Sequence, residues 1–126
     1  MIGLVIAELL TNSTALTTLV GSNIYPYAID EDANLPAVVY MIKSIVPEYD
    51  KDCRNRDINT VEIVSFHTSY KKCLEISNEV RKATELQNGT IAGITVAQIR
   101  VSSISEGLDI DNNIYFSKIE LTIKSI

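Results

Sequence analysis

Residues 115–124 alternate, with Ile119, Leu121 and Ile123 on one side and Lys118, Glu120, Thr122 and Lys124 on the other. A period of two describes a strand with one buried and one wet face. Such a strand is stable only beside other strands and under a layer that covers its apolar side. The remaining sequence has to supply both.

Candidate partners are rich in β-branched and aromatic residues. Ala37-Val38-Val39-Tyr40-Met41-Ile42 reads as a buried strand that continues toward Val46 and ends at Pro47; Val61–Phe66 and about Thr95–Ser103 read as two more. Candidate cover comes from helices. Val5, Ile6, Leu9 and Leu10 have the spacing of an amphipathic helix, and Ser13 offers the N-cap of a second one through Leu16, Leu19 and Val20, stopped by Gly21. Thr68 or Ser69 caps a central helix with Tyr70, Cys73, Leu74, Ser77, Val80 and Ala83 on one face and Lys71, Lys72, Glu75, Glu79 and Lys82 on the other, ended by Asn88-Gly89. The expected fold is α+β: an antiparallel or mixed sheet of about four strands, with N-terminal helices and the central helix packed on one face. At 126 residues the chain suits one domain, 1–126, with one core.

Two segments stand outside this pattern. Asp30–Asn34 reads as an acidic loop, and Glu48–Asn59 (EYDKDCRNRDIN) as an exposed, mobile loop of alternating charge. The start, Met1–Thr11, is apolar but carries Glu8 and no basic region, so it does not read as a signal peptide; nor is there a bilayer-length apolar run. With 16 acidic against 11 basic residues the formal net charge is −5, the wrong sign for a nucleic-acid binder.

Candidate chemistry is sparse. His67 is the only histidine and has no advertised nucleophile or carboxylate partner. Cys53 and Cys73 are too few for a disulfide framework or a four-ligand zinc site; Cys73 falls on an apolar helix face, whereas Cys53 lies near Arg54 and Arg56, which can lower a thiol pKa. Asp109, Asp111, Asn113 and Glu120 match part of a calcium-loop spacing, yet Ile114 stands where that loop needs glycine. Asp30-Glu31-Asp32 has no second carboxylate pair, and Gly89 and Gly93 lack a phosphate-loop context. No cofactor, metal or catalytic residue is expected.

Several short elements occur in a telling order: Leu19-Val20-Gly21, then Asn23-Ile24-Tyr25-Pro26, then Leu35-Pro36-Ala37-Val38-Val39-Tyr40. Ser69-Tyr70 and Val80-Arg81-Lys82-Ala83 follow, and then Asp109 and Asp111 ahead of Ile114-Tyr115 and the alternating strand. Together they resemble the small tail-completion proteins of long-tailed bacteriophages and prophages. That resemblance implies a structural virion protein, not an enzyme, which forms a ring, commonly of six subunits, at the head-proximal end of the tail tube. It implies the tail tube protein and the head connector as partners, no membrane, and no specific nucleic-acid binding although DNA passes through the ring. A neck or head-completion protein, or a small cytosolic ligand-binding domain, would share the size and class. The chain departs from the family in its charged 48–59 loop, where Asp50, Lys51, Asp52, Arg54 and Arg56 are the candidate contacts to a neighbouring subunit or the connector.

Overall fold

The computed structural model describes residues 2–29, 34–49 and 55–126. The order is α1 (Ile2–Thr11), α2 (Thr14–Val20), β1 (Ile24–Pro26), β2 (Ala37–Tyr49), β3 (Asn55–His67), α3 (Tyr70–Thr84), β4 (Gly89–Ile91), β5 (Ile94–Asp109) and β6 (Ile114–Ser125). The strands form one sheet in the order β1-β2-β3-β6-β5-β4, antiparallel except for the β1–β2 pair.

The sheet therefore has six strands, not about four. The additional two, β1 and β4, are three residues each, too short to show any periodicity in sequence. Pro47 does not end β2, which runs to Tyr49. Beyond Tyr40 it is an edge strand, where a missing N–H need not break a ladder. β5 reaches Asp109 rather than about Ser103, because register shifts at Val96/Gln98 and Val101/Ser103 break its alternation. The 48–59 segment is likewise less loop than expected: Glu48 and Tyr49 belong to β2, and Asn55 onward to β3. Asn59 is buried, and its amide donates to the Ile123 carbonyl and to Ser125 Oγ, both at 3.0 Å, so a polar residue takes a core position on a satisfied bond.

The core lies between the helices and one face of the sheet. Ile6 and Leu10 of α1, Leu16 of α2 and Ile76 and Val80 of α3 meet Val61 and Ile63 of β3, Ile99 of β5, and Ile119, Leu121 and Ile123 of β6. Burial of each such side chain contributes about 1.5–3 kcal/mol. The alternation of β6 is as expected, with Ser117, Ile119, Leu121, Ile123 and Ser125 all buried.

α3 starts at Ser69, whose hydroxyl accepts the Lys72 N–H. Its buried stripe is Cys73, Ile76, Ser77, Val80 and Thr84; Tyr70 and Leu74, expected on that stripe, stand on its exposed flank. The helix stops at Thr84, before Asn88-Gly89, because Leu86 turns to positive φ and gives its N–H to the Ile99 carbonyl at 3.0 Å. Among the described residues no single helix is long and apolar enough to cross a membrane, and α1 and α2 meet at 81°.

Candidate assembly surfaces

The residues that suggested chemistry do other work in the fold. His67 Nδ1 accepts the Ser69 N–H at 2.9 Å, a turn that leads β3 into α3. Burial, with the charge of Lys72 second, lowers its pKa, so the ring is neutral at pH 7 and keeps that lone pair available. Cys73 is buried against the Ser65 and Tyr115 carbonyls, with Sγ at 3.4 and 3.6 Å. Burial, then the nearby Glu106 carboxylate, raises its thiol pKa, the opposite of an activated nucleophile. Asp109 and Ile114 are cross-strand partners that close a tight hairpin, with Asn112 donating to Asp109 at 2.8 Å; Glu120 lies well along β6 opposite Ser103, so the partial calcium spacing does not wrap around a point.

Of the predicted contact residues, Asp50, Lys51, Asp52 and Arg54 lie outside the described residues, as do Cys53 and Asp30-Glu31-Asp32. Arg56 is exposed on β3, paired in register with Glu48 at the end of the β2–β3 hairpin.

Three surfaces emerge, of which the sequence advertised only part of the first. The first is the sheet face away from the helices. It carries Thr60 and Glu62 of β3 beside Lys118, Glu120, Thr122 and Lys124 of β6, and Ser102 and Thr122 share a hydroxyl–hydroxyl bond across β5–β6. Glu62 and Glu120 are direct cross-strand partners, an unfavourable juxtaposition of like charges. Glu62 is offset by two cations: Lys43 Nζ lies 3.2 Å and Lys118 Nζ 3.3 Å from its two carboxylate oxygens. Its side chain is only 8% exposed, so an unpaired carboxylate there would be costly. At one end of this face Phe116 lies over Gly107, filling the space a side chain would take.

The second surface is a pair of open edges. β1 pairs β2 only at Val38–Tyr40, and β4 pairs β5 only at Val96, Thr95 and Ile94. Among the described residues, the outer backbone of 41–49 on β2 and of 97–109 on β5 has no strand beside it. Both open stretches bear exposed apolar side chains, Ile45, Val46 and Tyr49 on β2 and Ile104 and Leu108 on β5. The third surface adjoins the β2 edge: a mostly apolar groove of about 780 Å³ between the start of α1, the end of β1 and β2, lined by Ile2, Leu4, Tyr27, Tyr40, Ile42 and Ile45.

The sheet thus has helices on one face, a cluster of charged residues on the other and two unfinished edges. The sequence profile of the tail completion protein gp17 family matches residues 5–123, almost the whole chain. The chain belongs to that family. As a tail-completion protein it is a structural component of the virion tail. A solved structure of the same fold is a chain in the virion of a native gene transfer agent particle, with a TM-score of 0.82 at 10% identity, covering 95% of this chain and 90% of that one. No curated protein matches the tail-completion chain. The order of short motifs made the family legible; the open edges were not, because pairing partners are invisible until the strand order is known.

Proposed function

We propose that this tail-completion protein acts as one domain over residues 1–126 and forms a ring at the head-proximal end of the tail tube, ending tube growth and joining the tail to the head connector without catalysis. The observation that carries this reading is the family match over residues 5–123. Two others agree with it. The fold recurs in a phage-like particle, that of a gene transfer agent. The two sheet edges and the apolar groove leave surface that a lone chain exposes and an assembly can cover. The formal charge of −5, repeated around a ring, would repel passing DNA from the wall.

Electron microscopy of lysates from a phage lacking only this gene tests the reading. Filled heads beside unattached or overlong tails are the expected outcome, and intact, normally joined particles would refute it. We assign contact with the neighbouring subunit or the connector to the charged residues that run from the end of β2 into the start of β3, Asp50, Lys51, Asp52, Arg54 and Arg56. Replacing Arg54 and Arg56 by alanine should lower the yield of joined particles while leaving the melting temperature within about 1 °C, since surface changes usually cost less than about 0.5 kcal/mol. A normal yield would remove the assignment.

A further inference from the structure

We infer that subunits join by adding the open edge of β2 in one copy to the open edge of β5 in the next, so that the sheets of successive copies become one continuous, closing sheet. The inference rests on the ring reading and supplies its interface.

Direction is the first argument. β2 is antiparallel to β3, β3 to β6, and β6 to β5, so β2 and β5 run in opposite senses within one subunit. A neighbour in the same orientation therefore presents its β2 antiparallel to this β5, the pairing that the rest of the sheet uses. The two edges differ in sequence and sit on opposite sides of the molecule, so the contact is head-to-tail and repeats around a ring.

The second argument is where each edge is open. The short strands cover different ends: β1 caps β2 near its start, and β4 caps β5 near its start, at opposite ends of the sheet because the two strands run oppositely. Placing the two open stretches against each other to within one residue of their middles sets Ile45 opposite Ile104. These two side chains share the helix-bearing face, since Ile45 pairs with the buried Asn59 and Ile104 with the buried Ile119. Both are nearly half exposed, at 43% and 48%, and each would cover the other. Pro47 and the register shifts interrupt the edges without closing them, which limits the registers that can form.

The third argument is geometric. Through the ladders Ile45 is level with Asn59, Ile123 and Ile99. Ile104 pairs with Ile119, four residues from Ile123, because the shift at Val101/Ser103 absorbs one residue of β5; setting Ile45 opposite Ile104 of the adjacent copy therefore steps each subunit four ladder positions along the strand direction. At about 3.3 Å per residue that is about 13 Å, against about 19 Å across four strands spaced about 4.8 Å apart. The ratio gives a strand tilt of about 35°, at the lower end of the range of about 35–45° at which sheets close into barrels. The sense of the step is also decisive. With β3 crossing to β5 over α3 right-handedly, as nearly all such connections do, the step has the hand of a closed barrel when the helices are outside. The face with Glu62, Lys118, Glu120 and Lys124 then lines the passage.

The test is thiol crosslinking in assembled particles. Ile45→Cys and Ile104→Cys are introduced together and singly, in a Cys53→Ser background, and particles are treated with a short bis-maleimide. The double variant should give a ladder of multimers, each single variant only monomer, and a mixture of the two single variants a dimer. Crosslinking by a single variant alone would show a two-fold contact and overturn the inference. Particles that carry the double variant at normal amounts yet give no ladder would overturn the edge pairing and leave the ring standing. A chain missing from purified particles would overturn both.

Discussion

At the scale of single residues, Gly107 is constrained by distance rather than by conformation. A Cβ there would lie 2.5 Å from Cζ of Phe116, its cross-strand partner. Gly107→Ala should force the ring from its place and cost about 1–2 kcal/mol; the check is a lowered melting temperature with faster amide exchange confined to the β5–β6 hairpin. Glu62 sits between Lys43 and Lys118, which are 49% and 41% exposed, so solvent screens much of the attraction. Glu62→Gln should cost about 1 kcal/mol at low salt and less at high salt, and a loss independent of salt would mean that packing, not charge, holds the site. His67 sets a pH dependence. Its pKa in the fold lies below the ordinary 6.5, so the unfolded chain takes up its proton at higher pH than the folded one. Stability from this group is complete above that ordinary value and falls as pH drops through it toward the lowered one. Melting temperatures followed between about pH 7.5 and 5.5 should show this decline, and a His67→Asn variant should lack that part of it.

Elements differ in how far their residues announce them. β6 keeps strict alternation because it is central, flanked by β3 and β5 and covered by helices on one face, so every second side chain meets the same environment. α3 was legible as a helix, but its buried stripe was not: Leu74 and Ile76 are both apolar, and only the position of β3 and β6 beneath the helix decides that Ile76 goes in. β5 was cut short because two register shifts reset its period, and β1 and β4 were not counted because three residues carry no period. The charged 48–59 stretch misled because Asn59 resembles loop composition until Ile123 and Ser125 are there to bond it. Two substitutions measure the start and the middle of α3. Ser69→Ala removes the N-cap and should cost about 1 kcal/mol in denaturant unfolding. Ile76→Ala, at a position 1% exposed, should cost about 3–4 kcal/mol, much of the stability of a domain this size.

For the whole molecule, the family was readable from motif order, whereas the candidate contact surfaces depend on which strands end up outermost, a property of topology that no local pattern encodes. The unequal lengths of the outer and inner strands have a wider consequence. A chain with two different, mutually complementary sides behaves like a monomer with a donor end and an acceptor end. Polymers of such units grow until the last acceptor meets the first donor, and nothing in any one subunit counts the members. In the proposed ring the number would be fixed by the angle turned per step, set by sheet twist and by the register shifts of β2 and β5. A change that relaxed any of these shifts would leave the edges free to pair and still miss closure, turning the proposed ring into an open filament.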